Sequence, residues 1–246
     1  MRTDKSEMNI VGVHAVLSAF KQRPNELIKI HLTKELLKTM KPVVDYCVKN
    51  KLAYHIVEAE KVEKISRSTH HEGVCALFVK PELYTLSEYL KKLPAKCLVV
   101  ALQGVKNPHN LGAIMRIAAH FGVDALMVNE SEQLFSSAAF RTAEGGGEGL
   151  KFIFEKDFMK SIELFKKNQF ELYATSSHSG ALSLYKTQFP NRVVIFMGEE
   201  RYGLSPELLK KIPKSLVIPG TGLVESLNVA SATSVILSEV YRQIQK

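Results

Sequence analysis

Ile218-Pro219-Gly220-Thr221-Gly222-Leu223-Val224-Glu225-Ser226-Leu227-Asn228-Val229-Ala230 links a short apolar run to a long helical pattern. Its Pro/Gly-rich front half can continue neither a helix nor a strand. Its back half sets Ser226 and Asn228 directly before residues 229–244, where apolar side chains recur at helical spacing. A helix start leaves backbone N–H groups without intrahelical partners, and Ser and Asn are favoured there as caps. One cap suffices. Ser226 and Asn228 therefore read either as caps or as one cap and one side chain held out for a ligand.

Working outward, residues 97–246 alternate strand and helix patterns. Strands are expected at 97–102, 125–128, 151–154, 171–174, 193–197 and 215–218, and helices at 111–121, 136–143, 158–167, 206–211 and 229–244. Strands separated by helices predict a largely parallel sheet covered on both faces. Ligands of such sheets bind at the carboxyl ends of the strands.

Two further polar segments begin at those ends. One is Asn107-Pro108-His109-Asn110-Leu111-Gly112-Ala113-Ile114-Met115-Arg116. The other is Phe196-Met197-Gly198-Glu199-Glu200-Arg201-Tyr202-Gly203-Leu204-Ser205. Together with the opening stretch, in this order, they resemble the three motifs of the SpoU family, the 2′-O-ribose RNA methyltransferases of the SPOUT superfamily. The first, N-P-x-N-x-G-x-x-x-R, is met at Asn107, Pro108, Asn110, Gly112 and Arg116. The second is met at Gly198, Glu199 or Glu200, Gly203, Leu204 and Ser205. The third is met except that Gly220 stands where the family has Met, and Ala230 stands where many relatives have Ser. Both departures are expected to affect cofactor affinity or rate rather than activity itself. The resemblance covers about residues 96–246, and a weaker one covers 9–80, from Ile10-Val11-Gly12-Val13-His14-Ala15-Val16 onward.

The resemblance implies a trefoil knot at the C-terminal end with S-adenosyl-L-methionine bound in it, and a small α/β substrate-binding domain in front. The expected division is 1–80 for RNA binding, 81–95 as a linker with a short helix, and 96–246 for methyl transfer. In the first part, strands are expected at 28–32, 53–57 and 74–79. A helix is expected at 34–49, with Thr33 as its cap and Pro42 as a kink or split.

Composition bounds the partners. The net charge is +8. Residues 1–80 carry 14 Lys/Arg against 9 Asp/Glu, and the remainder 19 against 16. The excess lies in the first third, which fits either a polyanionic partner or a solubilising surface; the resemblance implies that the polyanion is ribosomal or transfer RNA. The apolar runs are too short to span a membrane, and residues 1–7 lead into no signal-peptide core. Cys47, Cys75 and Cys97 are widely spaced and read as buried free thiols of a reducing cytoplasm. The eight histidines show no ligand spacing, so no metal is expected. Glu144-Gly145-Gly146-Gly147-Glu148-Gly149 lacks the Lys-Ser/Thr ending of a phosphate loop, does not directly follow a strand, and reads as a structural turn with flexible backbone. No GxGxxG follows the strand at 97–102, which disfavours a dinucleotide-binding oxidoreductase.

Roles follow residue by residue. On local grounds Asn110 is a helix cap or a substrate-orienting amide. Arg116 is a surface Arg lying over apolar neighbours or, with the motif, the catalytic Arg. It would act on the 2′-hydroxyl as a base, which a guanidinium resists, or by gripping phosphate and stabilising an alkoxide. Glu199 is a surface acid or orients Arg116 or a loop amide. Gly198 marks a close approach by the cofactor. The resemblance makes Asn110, Arg116, Glu199, Ser226 and Asn228 catalytic, and gives the adenosyl part to backbone groups of Gly198, Ile218 and Leu227. A homodimer is implied. The rival expectation, a non-catalytic RNA-binding or ribosome-assembly factor, predicts loss of Arg116, Asn228 or the Gly198 turn, and all three are present.

Overall fold

The computed structural model describes residues 6–176, 180–199 and 201–244. Two sheets organise them. The first unit runs β1 (Glu7–Val11), α1 (Val13–Gln22), β2 (Leu27–Leu32), α2 (Lys41–Lys49), β3 (Ala53–Ile56), α3 (Ala59–Ser66) and β4 (Val74–Val79). Its sheet has the order β1-β4-β2-β3. β4 is antiparallel to β1 and β2, and β3 lies parallel to β2 as the edge strand.

The helix expected over 34–49 is divided. Lys34–Leu36 forms a 3-10 turn, and α2 starts only at Lys41 with Pro42 in its first turn. Proline lacks the N–H that a helix interior needs, but the first turn has no use for that donor. Pro42 thus begins the helix instead of bending it. Thr33 precedes the 3-10 turn without a side-chain capping bond.

The second unit begins with β5 (Leu83–Tyr84) and α4 (Leu86–Tyr89), continues with β6 (Cys97–Gln103), α5 (Pro108–His120), β7 (Ala125–Val128), α6 (Ser137–Ala143) and β8 (Lys151–Phe154), then α7 (Phe158–Lys167), β9 (Glu171–Thr175), β10 (Leu182–Ser183), β11 (Arg192–Gly198), α8 (Pro206–Lys211), β12 (Lys214–Val217) and α9 (Val229–Ile244). The sheet order is β10-β12-β9-β11-β6-β7-β8-β5. Its pairings are parallel throughout the described residues, as the βα alternation predicts.

The two-residue period of a strand sorts the core. On β6, Leu98, Val100 and Leu102 join the layer carrying α5, α6 and α9. Cys97, Val99 and Ala101 face the layer carrying α4, α7 and α8. Both faces are covered, so β6 reads apolar from Cys97 through Leu102 and turns polar only at Gln103, its carboxyl end. The α5 side also merges with the core of the first unit, including Ile10, Val16, Leu27 and Phe78. Segment 81–95 contributes β5 to the sheet, with Leu83 opposite Phe152 and Tyr84 opposite Ile153. A capping box between Thr85 and Glu88 starts α4.

Candidate active site

The first two motifs meet through sheet register. β6 and β11 are adjacent, and Gly198 pairs with Gln103 at their carboxyl ends. Gln103 then holds the second motif: its Oε1 accepts the Ser205 N–H at 2.8 Å, and its Nε2 donates to Ser205 Oγ at 3.3 Å. Ser205 Oγ also accepts the Leu208 N–H as the cap of α8.

α9 packs on α5 and delivers the third motif. Asn228 Nδ2 donates to Asn110 Oδ1 at 3.2 Å. Asn228 Oδ1 also accepts the Ala230 N–H at 2.9 Å and so caps α9. Asn228 is both cap and site residue, and Ser226 stands exposed two residues earlier. Asn110 is not a cap. Asn107 takes that role, with Oδ1 accepting from the amides of His109 (2.9 Å) and Asn110 (3.4 Å). An Asn before a Pro is a helix-start signal, and it was legible in the sequence.

Gly198 also meets the protein's own chain at close range. A Cβ there would lie 2.1 Å from the Gly203 carbonyl carbon and 2.3 Å from the Leu204 nitrogen. The close approach is made by the protein's own turn, closed by the Gly203 N–H on the Glu199 carbonyl at 3.0 Å. Gly203 takes φ +67 there. Glu199 lies over Gly104, the residue after β6; a Cβ on Gly104 would be 3.6 Å from the Glu199 Cδ. The Gly104 amide is held by Asn129 Oδ1 at 3.0 Å. Glu200, the alternative match in the second motif, lies outside the described residues.

Arg116 lies on α5 six residues beyond Asn110, about 120° around the helix. Its side chain is 59% exposed, and Nη1 meets Glu144 Oε2 at 3.1 Å. Among the described residues Glu144 is its ion-pair partner, and of the alternatives open for Glu199 no ion pair with Arg116 is formed. Glu144 ends α6 at φ 46. In the sequence Glu144 reads only as part of a structural turn, because nothing local ties it to a residue 28 positions earlier.

The loop after β12 is open and exposed. Ile218 packs at the edge of the core, while Leu227 is partly exposed and Leu223 is 88% exposed. A Cβ at Gly203, Gly220 or Gly222 would meet nothing within 4 Å. Within 219–227 the hydrogen bond recorded among the described residues is a 3.4 Å contact of the Leu223 N–H with Thr221 Oγ1. Backbone donors and acceptors beside apolar side chains are what an adenosyl group needs.

Residues 97–238 match the SpoU rRNA Methylase family model, and residues 9–84 match the RNA 2′-O ribose methyltransferase substrate-binding model. The chain belongs to the SpoU rRNA methylase family. A protein of Escherichia coli O157:H7 described as an uncharacterized tRNA/rRNA methyltransferase, YfiF, is 34% identical over 242 residues, covering 98% of this chain and 70% of its own. The 23S rRNA (guanosine-2′-O-)-methyltransferase RlmB of Haemophilus ducreyi is 29% identical over 240 residues, covering 95% of this chain and 97% of its own. A crystal structure of an RNA 2′-O ribose methyltransferase superposes with a TM-score of 0.81 at 26% identity, covering 98% of this chain and 90% of that one. The family and the α/β architecture expected from the three SpoU motifs therefore hold. Among the described residues, no helix is long and apolar enough to cross a membrane, and no three His, Cys, Asp or Glu side chains are grouped to hold a metal.

Proposed function

We propose that this protein methylates the 2′-hydroxyl of a ribose in ribosomal or transfer RNA, using S-adenosyl-L-methionine. The observation that carries this reading is the Asn228–Asn110 hydrogen bond, which joins the third motif to the first beside an open, apolar-edged loop. Family membership and full-length similarity to an rRNA ribose methyltransferase support it. The donor supplies a methyl group activated on a sulfonium. Backbone groups of 218–227, with Ile218 and Leu227 against the base, would hold its adenosyl part, and the pinched Gly198–Leu204 turn would form one wall.

The chain's own residues do the rest. Asn110 and Asn228 form a linked pair of amides that orients the ribose, with Ser226 at its rim. Arg116 acts by charge: its planar guanidinium grips the phosphate and stabilises the developing alkoxide while the hydroxyl proton leaves to phosphate or water. Glu199, beside Gly104 at the carboxyl end of β6, supplies a carboxylate at the edge of the site. The first unit holds the RNA. On it, His31 and His55 stack at 4.8 Å between centroids. Burial, followed by the charges of His55, Lys29 and Lys61, lowers the His31 pKa. Cations crowded beside an exposed edge strand suit a polyanion. We further propose that 1–80, 81–95 and 96–246 divide these labours in a cytoplasmic homodimer, with exposed Leu223 and Val224 contributing to the subunit contact. The return of the chain from β11 past β9 to β12, and back through α9 onto α5, is the path we assign to the knot.

The experiment is transcriptome-wide ribose-methylation mapping with and without the gene, followed by tritiated-methyl transfer to the RNA so found. Wild-type protein should label it. Arg116→Ala should lower kcat by about 100-fold or more while the melting temperature holds. Arg116→Lys should fail nearly as badly, since an ammonium lacks the planar fork. An unchanged methylation map and no transfer would leave the non-catalytic RNA-binding factor as the reading.

A further inference from the structure

The Gly-rich turn after α6 is wedged between the Arg116 helix and the first unit. On one side, a Cβ at Gly146 would lie 2.7 Å from the Arg116 Cα and 2.9 Å from the Met115 carbonyl oxygen. On the other, a Cβ at Gly145 would lie 2.4 Å from the Ser18 Cβ. Gly145 takes φ +90, and its carbonyl accepts from Gln22 Nε2 at 3.1 Å. Four residues past Glu144, Glu148 forms an ion pair with Arg23, its side chain 1% exposed. Arg23 also bonds the Val79 carbonyl and lies 5.1 Å from the Phe78 ring centroid. The turn is therefore fixed at once to the backbone of α5 and to α1 and β4 of the first unit.

Glu144 stands at the head of this wedge in left-handed backbone, at φ 46. That conformation costs a non-glycine residue roughly 1–2 kcal/mol. Glycine would occupy the position without strain, and three glycines follow immediately. What Glu adds is a carboxylate 3.1 Å from the guanidinium of Arg116. An exposed ion pair contributes little to stability. Orientation is a different matter, because a reacting group misplaced by about 1 Å can cost a factor of 100 in rate.

We propose that Glu144 is the positioning residue of Arg116, and that the wedge makes this positioning depend on the seating of the first unit, where RNA is held. The inference rests on the ribose-methylation reading for its effect on rate, but not for its effect on the arginine itself. Without the carboxylate, Arg116 keeps its charge and loses its direction. Turnover then falls while RNA affinity is kept or tightens, since one anion has left the phosphate's path.

The test uses full-length protein carrying Glu144→Gln, Arg116→Lys or both, with Gln22→Ala as a variant that loosens the wedge and leaves the carboxylate in place. The side-chain Nε–H resonance of Arg116, assigned by its loss in Arg116→Lys, should be ordered in the native protein. It should be motionally averaged in Glu144→Gln and partly so in Gln22→Ala. On RNA, Glu144→Gln should lower kcat by about 10- to 100-fold, with KM for RNA unchanged or lower and the melting temperature unchanged. In the Arg116→Lys background the same substitution should have no further effect, as expected for a residue acting through another. An Arg116 resonance equally ordered in Glu144→Gln, or kcat losses that multiply in the double variant, would overturn the proposal. Should wild-type protein transfer no methyl to any RNA, the proposed function falls, and the resonance still decides whether Glu144 positions Arg116.

Discussion

Cys75 and Cys97 show how burial decides chemistry one side chain at a time. Burial pushes each thiol from 9.0 up to about 11, and Tyr89 Oη lies 3.1 Å from Cys97 Sγ. The thiolate is the reactive form, so both should resist a thiol reagent at pH 8 in native protein and react on unfolding. Rapid labelling of folded protein would show that these sites are open. The linkage sign follows from the raised values. The folded state favours the neutral thiol, so this contribution is complete below pH 9.0 and is lost as pH rises toward about 11. Denaturation midpoints should therefore fall across that interval. The sequence indicated buried free thiols from apolar neighbours alone. It gave no sign that Gly198 serves its own turn or that Arg116 pairs with Glu144, because both contacts are made across loops.

Among elements, the contact between α5 and α6 sets where the Arg116 helix lies. Gly112, a residue of the first motif, is what lets them approach: a Cβ there would sit 2.4 Å from the Ala139 carbonyl oxygen and 2.6 Å from the Thr142 Cβ. Neither is the far end of a flexible side chain, so the helices must separate. Gly112→Ala should therefore destabilise the protein by roughly 1–3 kcal/mol despite the better helix propensity of Ala. Urea unfolding would measure it, and a gain in stability would show that the helices have slack. Element boundaries were read well where the chain is strongly periodic: α7, α8 and α9 fall where the spacing placed them. The helix pattern over 34–49 is split near Pro42, one of the two outcomes open there, and α2 starts seven residues beyond the start of the pattern.

For the whole molecule, the two units share one apolar core and the buried Arg23–Glu148 pair. Removing the first unit would uncover the second, so RNA binding is better tested by charge. Lys29→Glu with Lys61→Glu, beside the stacked His31 and His55, should weaken RNA binding and flatten its salt dependence by up to about 2 in slope. S-adenosyl-L-methionine affinity and melting temperature should hold. Filter binding over a salt series decides it, and an unchanged slope would move the RNA to another face.

The sequence by itself determined the α/β class, the parallel sheet and the family. These follow from short-range information: strand and helix periods, turn residues, and three motifs each contained within a dozen or so residues. It also set Asn110 in the first turn of α5, Arg116 about two turns further along that helix, and Asn228 directly before α9. Tertiary structure decided which of them touch. Asn228 reaches Asn110 across 118 residues because α9 returns onto α5. Arg116 faces Glu144 because a turn of three glycines fits between α5 and α1. Segment 81–95 became partly sheet because β8 had a free edge for Leu83 and Tyr84. Such pairings depend on how surfaces pack over long separations, and local periodicity carries no record of that.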